Sequence, residues 1–111
     1  MSFELVVSTH FKKELKRLAK KYASLKEDVS KLGESLEDNP AQGIALGKDC
    51  FKIRLAIQSK GRGKSGGARV ITCVFSLRER VVLLSIYDKA EKENINAIEL
   101  NELLEAIEVN E

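Results

Sequence analysis

Arg54, Arg69, Lys52 and Tyr87 are the side chains of this 111-residue sequence best suited to chemistry on a phosphate. Lys52 and Arg54 lie two apart in Phe51-Lys52-Ile53-Arg54-Leu55-Ala56-Ile57. That stretch alternates apolar and polar at first, as a half-buried strand does, so both cations point to one face. Arg69 begins a second apolar run and Tyr87 ends a third. In a meander these positions can be neighbours. The planar fork of an arginine gives two donors to a phosphate and suits the charge that develops on a phosphorane. Held in place, such groups can carry most of a rate enhancement. A tyrosine beside them can stack on a base, orient a hydroxyl, or move a proton if the cations lower its pKa.

Other catalytic arrangements are absent. His10 is the one histidine, it lies near the start of a helix, and no second base is close in sequence. Asp, Glu and His never fall at metal-ligand spacing, so neither a metal nor a cofactor is expected. Cys50 and Cys73 sit in apolar runs with no CxxC and read as buried, reduced thiols. Gly61-Arg62-Gly63-Lys64-Ser65 imitates a P-loop. A Walker motif, however, needs four residues between its glycines and a helix after the Lys-Ser, and here a strand follows.

The formal net charge of +2 hides a polar layout. Seven basic residues fall between Lys12 and Lys26 and seven more between Lys48 and Arg69, whereas Glu91 to Glu111 holds seven Glu and only Lys92. A basic body with an acidic end segment suits a polyanionic partner. Within it, Lys60, Arg62 and Lys64 stand on a glycine-rich hairpin loop, and Lys89 and Lys92 follow the last strand, all in reach of phosphates. There is no signal-peptide pattern, and no apolar run approaches the ~20 residues of a membrane span. The cytoplasm is the expected compartment.

The elements that must position these residues are legible. Phe3 to Val7 reads as a strand. Ser8 or Thr9 caps a helix with Phe11, Leu15, Leu18, Tyr22 and Leu25 on its apolar face. Ser24 and Glu27 have capping-box spacing and predict a second helix through Val29, Leu32 and Leu36, stopped by Asn39-Pro40. Gly43 to Asp49 reads as a loop. Strands follow at 51–57, 68–75 and 81–87, with a turn at Leu77 to Arg80. Asn96 caps a last helix, with Glu99 at N3 and Leu100, Leu103, Leu104 and Ile107 on its apolar side. The expectation is a single α+β domain over 1–111, ordered β-α-α-β-β-β-α. The helices, a helical hairpin among them, cover one face of an antiparallel sheet, and Lys52 and Arg54 occupy the other.

Lys52-Ile53-Arg54, Gly61-Arg62-Gly63-Lys64-Ser65-Gly66-Gly67-Ala68-Arg69-Val70-Ile71 and Ile86-Tyr87-Asp88-Lys89 together resemble the RelE/ParE superfamily of type II toxin–antitoxin systems. The central run is most similar to the HigB-like subgroup. Phe11-Lys12-Lys13-Glu14-Leu15 and Asn39-Pro40 also fit, so the resemblance spans roughly Phe3 to Leu104. It implies a microbial-RNase-type fold, a cognate antitoxin, and a ribosome-dependent endoribonuclease that cuts mRNA by metal-free attack of the 2′-OH. The site it implies is Arg69 and Tyr87 first, then Lys52 and Arg54. Two rivals stay open on the same fold: a ParE-like inhibitor of DNA gyrase, and an RNA- or ribosome-binding module without turnover.

Overall fold

The computed structural model describes residues 2–61, 63 and 66–110, except for the side chains of 108–110. Strand β1 (Glu4–Val7) leads into helix α1 (Thr9–Ala19) and helix α2 (Leu25–Asp38). Four strands follow: β2 (Ile44–Gly47), β3 (Cys50–Leu55), β4 (Ala68–Phe75) and β5 (Arg80–Asp88), and then helix α3 (Ala97–Asn110). The strands form one sheet in the order β1-β5-β4-β3-β2.

The class is α+β as expected, with two refinements. The segment 43–49, read as a loop, contains the edge strand β2, which pairs antiparallel to β3. Its hairpin turn puts Lys48 and Asp49 at φ 55° and 61°, the left-handed pair that a two-residue turn requires. Neither residue is the Gly or Asn that would advertise such a turn. The sheet is also mixed, because β1 runs parallel to β5 while the other pairings are antiparallel.

Helix α1 starts where Ser8 accepts the Phe11 N–H at 3.1 Å. The capping box expected at Ser24 does not form. The Ser24 backbone is helical at φ −87° and ψ −8°, and its hydroxyl donates to Asp28 over 2.7 Å instead. At α3 the reciprocal pair is present: Asn96 Oδ1 accepts the Glu99 N–H at 2.8 Å and Glu99 accepts the Asn96 N–H at 3.2 Å.

The sheet has a covered face on each side. Helices α1 and α2 pack Phe11, Leu18, Leu25 and Leu36 against Ile53, Val70, Val81, Leu83 and Ile86. Contrary to the expectation that the helices share one face, α3 lies on the other. It sets Leu100 and Ile107 among Cys50, Ile71, Cys73, Val82, Leu84 and Tyr87. The reason is that its apolar side meets an apolar patch the meander leaves bare.

Candidate active site

Arg54, Arg69 and Tyr87 form one row across three strands. Arg54 is the direct partner of Arg69 between β3 and β4, and Arg69 is the direct partner of Tyr87 between β4 and β5. Residues in register across a sheet share a face, so the three side chains emerge together. Lys52, Ile71 and Ser85 make the next row on that face.

Tyr87 reaches this row through an irregularity. Ile71 pairs with Ser85 but Thr72 pairs with Leu83, so Leu84 is an extra residue in β5. A bulge of this kind resets the period-2 alternation. Val82 and Leu84 lie with the α3 cluster, yet Ile86 lies with the α1–α2 cluster and Tyr87 returns to the α3 side. Unbroken alternation from Val82 would have pointed Tyr87 at the helical hairpin.

A second constraint fixes the register between β3 and β4. A Cβ on Gly67 would stand 2.1 Å from the Leu55 carbonyl oxygen. The chain therefore enters β4 hard against the end of β3, with Ala68 opposite Leu55 and Arg69 opposite Arg54.

The row is graded in exposure. Arg54 is exposed and Lys52 half-buried, but Arg69 is 4% and Tyr87 5% exposed. The Arg69 guanidinium donates to the Ala68 carbonyl at 3.0 Å. The Tyr87 hydroxyl is buried with no hydrogen-bond partner among the described residues, a costly state that points to a group built for another occupant or another conformation. Burial pushes the Tyr87 phenol pKa up. Arg69 lowers it and Glu99 raises it further, and burial wins. The condition for Tyr87 to move a proton, cations that lower its pKa, is met by Arg69 but outweighed by burial in this conformation.

α3 and the turn before it fasten themselves to the cationic face. Lys52 donates to Asn94 at 2.8 Å. Lys48, in the β2–β3 turn, bonds Asn101 of α3, while Lys92, in the segment leading into α3, pairs with Glu99 of that helix. Lys92 also lies 5.4 Å from the centre of the Tyr87 ring. Asn94 and Asn101 carried no signal in the sequence. A cleft of about 410 Å³ remains beside Tyr87, with Ser85, His10, Glu99 and Leu103 in its walls.

The remaining cations are placed less uniformly. Lys60, expected to meet phosphates, gives its ammonium to the buried Asp88 carboxylate at 3.0 Å. Asp88 faces away from Arg69, since it pairs across the sheet with Ala68. Lys89 is half-buried, and its backbone N–H donates to the Gly67 carbonyl at 3.1 Å. Arg62 and Lys64 lie outside the described residues. Lys12, Lys13 and Lys16 on α1, and Lys20 just after it, are exposed. Among the described residues no group of His, Cys, Asp or Glu is placed to hold a metal, and no helix is long and apolar enough to cross a membrane.

Residues 7–109 match a family profile described as the RelE toxin of the RelE/RelB toxin–antitoxin system. A free E. coli RelE carrying two arginine-to-alanine substitutions superposes with a TM-score of 0.62 at 20% identity, over 96% of this chain and 99% of that one. The intact E. coli RelBE toxin–antitoxin complex gives 0.59 at 20% identity, over 78% and 96%. The RelBE2 toxin–antitoxin complex of Mycobacterium tuberculosis gives 0.56 at 14% identity, over 79% and 99%. At these identities the structures establish a common fold.

Proposed function

Because this chain belongs to the RelE toxin family of toxin–antitoxin systems, we propose that it is a ribosome-dependent endoribonuclease that inhibits translation by cutting mRNA. The observation that carries this reading is the row Arg54–Arg69–Tyr87, with Lys52 beside it. Three cations around one phenol suit in-line attack of a 2′-OH on its own phosphate. Arg69 and Arg54 would hold the non-bridging oxygens as charge builds on the phosphorane. Tyr87 would orient the 2′-OH or take its proton, and Lys52 would stand near the leaving 5′-oxygen. The products would be a 2′,3′-cyclic phosphate and a free 5′-OH. Lys89 and Lys92, with Arg62 and Lys64 of the hairpin loop, would contact flanking phosphates. Lys60 would do so only after leaving Asp88.

The conformation described is closed, since a phosphate cannot reach a tyrosine that is 5% exposed. α3 is the cover: Lys48 ties it to the β2–β3 turn, Lys52 holds Asn94 of the segment before it and Lys92 pairs with its Glu99, so three cations an RNA would claim are engaged. We assign the open state to the ribosome-bound toxin. The cognate antitoxin, the expected partner, would compete for the same face. A substrate on translating ribosomes puts the action in the cytoplasm, and the Gly61 to Ile71 wording favours the HigB-like subgroup.

Primer extension on a defined messenger tests this, in a reconstituted translation reaction with and without ribosomes. Cuts should appear only with programmed ribosomes and vanish for Arg54→Ala. An uncut messenger with translation still running would remove the nuclease and turn attention to gyrase supercoiling. Growth arrest with intact mRNA would favour binding without turnover.

A further inference from the structure

We infer that Cys50 and Cys73 are a thiol–disulfide site, able to close a bond between β3 and β4 when the protein meets a hydroperoxide. The two residues are direct partners in the antiparallel ladder. The bond from the Val74 N–H to the Asp49 carbonyl, 2.9 Å, flanks them and makes theirs a non-hydrogen-bonded pair. Such pairs bring the Cα atoms to about 4.5 Å with the side chains closest, inside the 4.4–6.8 Å span of disulfides. Both sulfurs lie against one atom, the Lys48 carbonyl oxygen, at 3.5 Å and 3.7 Å. Closing the bond therefore needs χ1 adjustments and no strand movement.

The pair is buried, with Cys50 at 0% and Cys73 at 2% exposure, on the face that α3 covers. Access is through the edge of the sheet. Cys50 is the first residue of β3, directly after the Lys48–Asp49 turn, and β2 beside it is a four-residue edge strand. Short edge hairpins open locally at low cost. The adjacent Cys73 side chain lowers the pKa of Cys50, whereas the Cys50 side chain and burial raise that of Cys73, so Cys50 is the first nucleophile. Its thiolate attacks the peroxide, the O–O bond breaks, and one water (an alcohol, from an organic hydroperoxide) leaves a sulfenic acid on Cys50. The Cys73 sulfur then attacks Cys50, the S–O bond breaks, and a water leaves with the Cys73 proton. The two electrons lost by the sulfurs are those that reduce the peroxide.

The ring so closed runs from Cys50 to Cys73. It spans Lys52, Arg54, the glycine-rich loop and Arg69, and so clamps the strand pair on which the cationic row stands. The inference does not depend on what that row does.

The full native chain is treated with graded hydrogen peroxide, quenched in acid, alkylated with a maleimide and weighed intact. The expected species is a monomer lighter by two hydrogens that takes up no maleimide. It should yield a Cys50–Cys73 linked peptide on non-reducing digestion and revert with dithiothreitol. Its melting temperature should rise by several degrees over the reduced chain, while Cys73→Ala treated identically should show no rise. A monomer that gains oxygen atoms without losing two hydrogens, a disulfide-linked dimer, or thiols that stay free until the chain unfolds would each overturn the inference.

Discussion

The Tyr22 hydroxyl donates to the Asp88 carboxylate over 2.5 Å, joining the turn after α1 to the last residue of β5. Asp88 is fully buried. It also accepts from Lys60 and from the Ala90 N–H, each at 3.0 Å. Lys21 and Lys60 stack on the Tyr22 ring at 5.3 Å and 5.4 Å. The turn between α1 and α2, the β3–β4 loop and the end of the site strand thus meet at one carboxylate. Removing the hydroxyl in Tyr22→Phe takes a donor from a buried charge and should cost about 1.5–3 kcal/mol. Urea denaturation at pH 7 measures it, and a loss under half a kcal/mol would mean that water replaces the bond.

Acid should expose the same hub. Burial pushes the Asp88 pKa up, but Tyr22, Ala90 and Lys60 together outweigh it and hold the carboxyl below its ordinary value. A carboxylate with a depressed folded pKa adds stability that is complete above the unfolded value of about 4 and is lost as the pH falls through the folded value. Urea midpoints should therefore fall below about pH 4 in the native chain. Asp88→Asn, less stable at pH 7, should show a shallower fall. Parallel pH profiles would assign acid sensitivity to other carboxylates.

Arg54 and Arg69 should separate when substituted, although they are cross-strand partners. Arg54 is exposed, so Arg54→Ala should leave stability within about 0.5 kcal/mol. Cleavage should still drop about 10²–10³-fold, the usual loss of a charge-stabilising donor. Arg69 is 4% exposed and bonded to the Ala68 carbonyl. Arg69→Ala should lose as much activity and also about 1–3 kcal/mol of stability. Thermal melts run beside primer extension distinguish the two. Full activity in a folded Arg54→Ala would remove that residue from the chemistry.

Gly67 should tolerate no side chain. The atoms its Cβ would meet are backbone: the Leu55 oxygen at 2.1 Å, Ala56 Cα at 3.1 Å and Ile57 N at 3.1 Å. Strands must separate to admit a methyl, so Gly67→Ala should cost about 1–3 kcal/mol and disturb the Arg54–Arg69 pairing. Chemical denaturation gives the first effect, and amide chemical shifts of residues 54 and 69 give the second. A neutral Gly67→Ala would mean that the β3–β4 junction yields easily.

These sites show what the sequence could and could not disclose. Lys52 and Arg54 were legible as a same-face pair because strand periodicity is local. Arg69 and Tyr87 were legible as strand ends, but their register was not, because it depends on Gly67 and on the extra residue Leu84. β5 is apolar almost throughout, so nothing in its residue types marks a bulge. β2 escaped notice because Ile44-Ala45-Leu46-Gly47 is four residues long and its turn uses Lys48-Asp49 in place of the usual Asn-Gly. The side on which α3 packs was equally hidden, since its Leu and Ile stripe fits any apolar surface. Lys60 looked like a free loop cation only because Asp88 is 28 residues away in sequence.

The phenol of Tyr87 offers a direct reading of the cover. Burial is the largest influence raising its pKa, Glu99 adds to it, and Arg69 opposes both. Leu100 and Ile107 seat α3 on the sheet at 6% and 8% exposure. Leu100→Asp with Ile107→Asp would place charges in that apolar contact and undock the helix. Water then reaches the phenol, Glu99 departs with α3, and Arg69, fixed on β4, stays. The Tyr87 pKa must fall relative to the native chain. Toxin activity on programmed ribosomes should be retained or increased, since the barrier to the row is gone. Carbon-13 NMR of ring-labelled tyrosine follows the Tyr87 titration in both chains. An unchanged Tyr87 pKa in a demonstrably undocked variant would mean that the sheet itself buries the phenol, and α3 would lose its place as the gate.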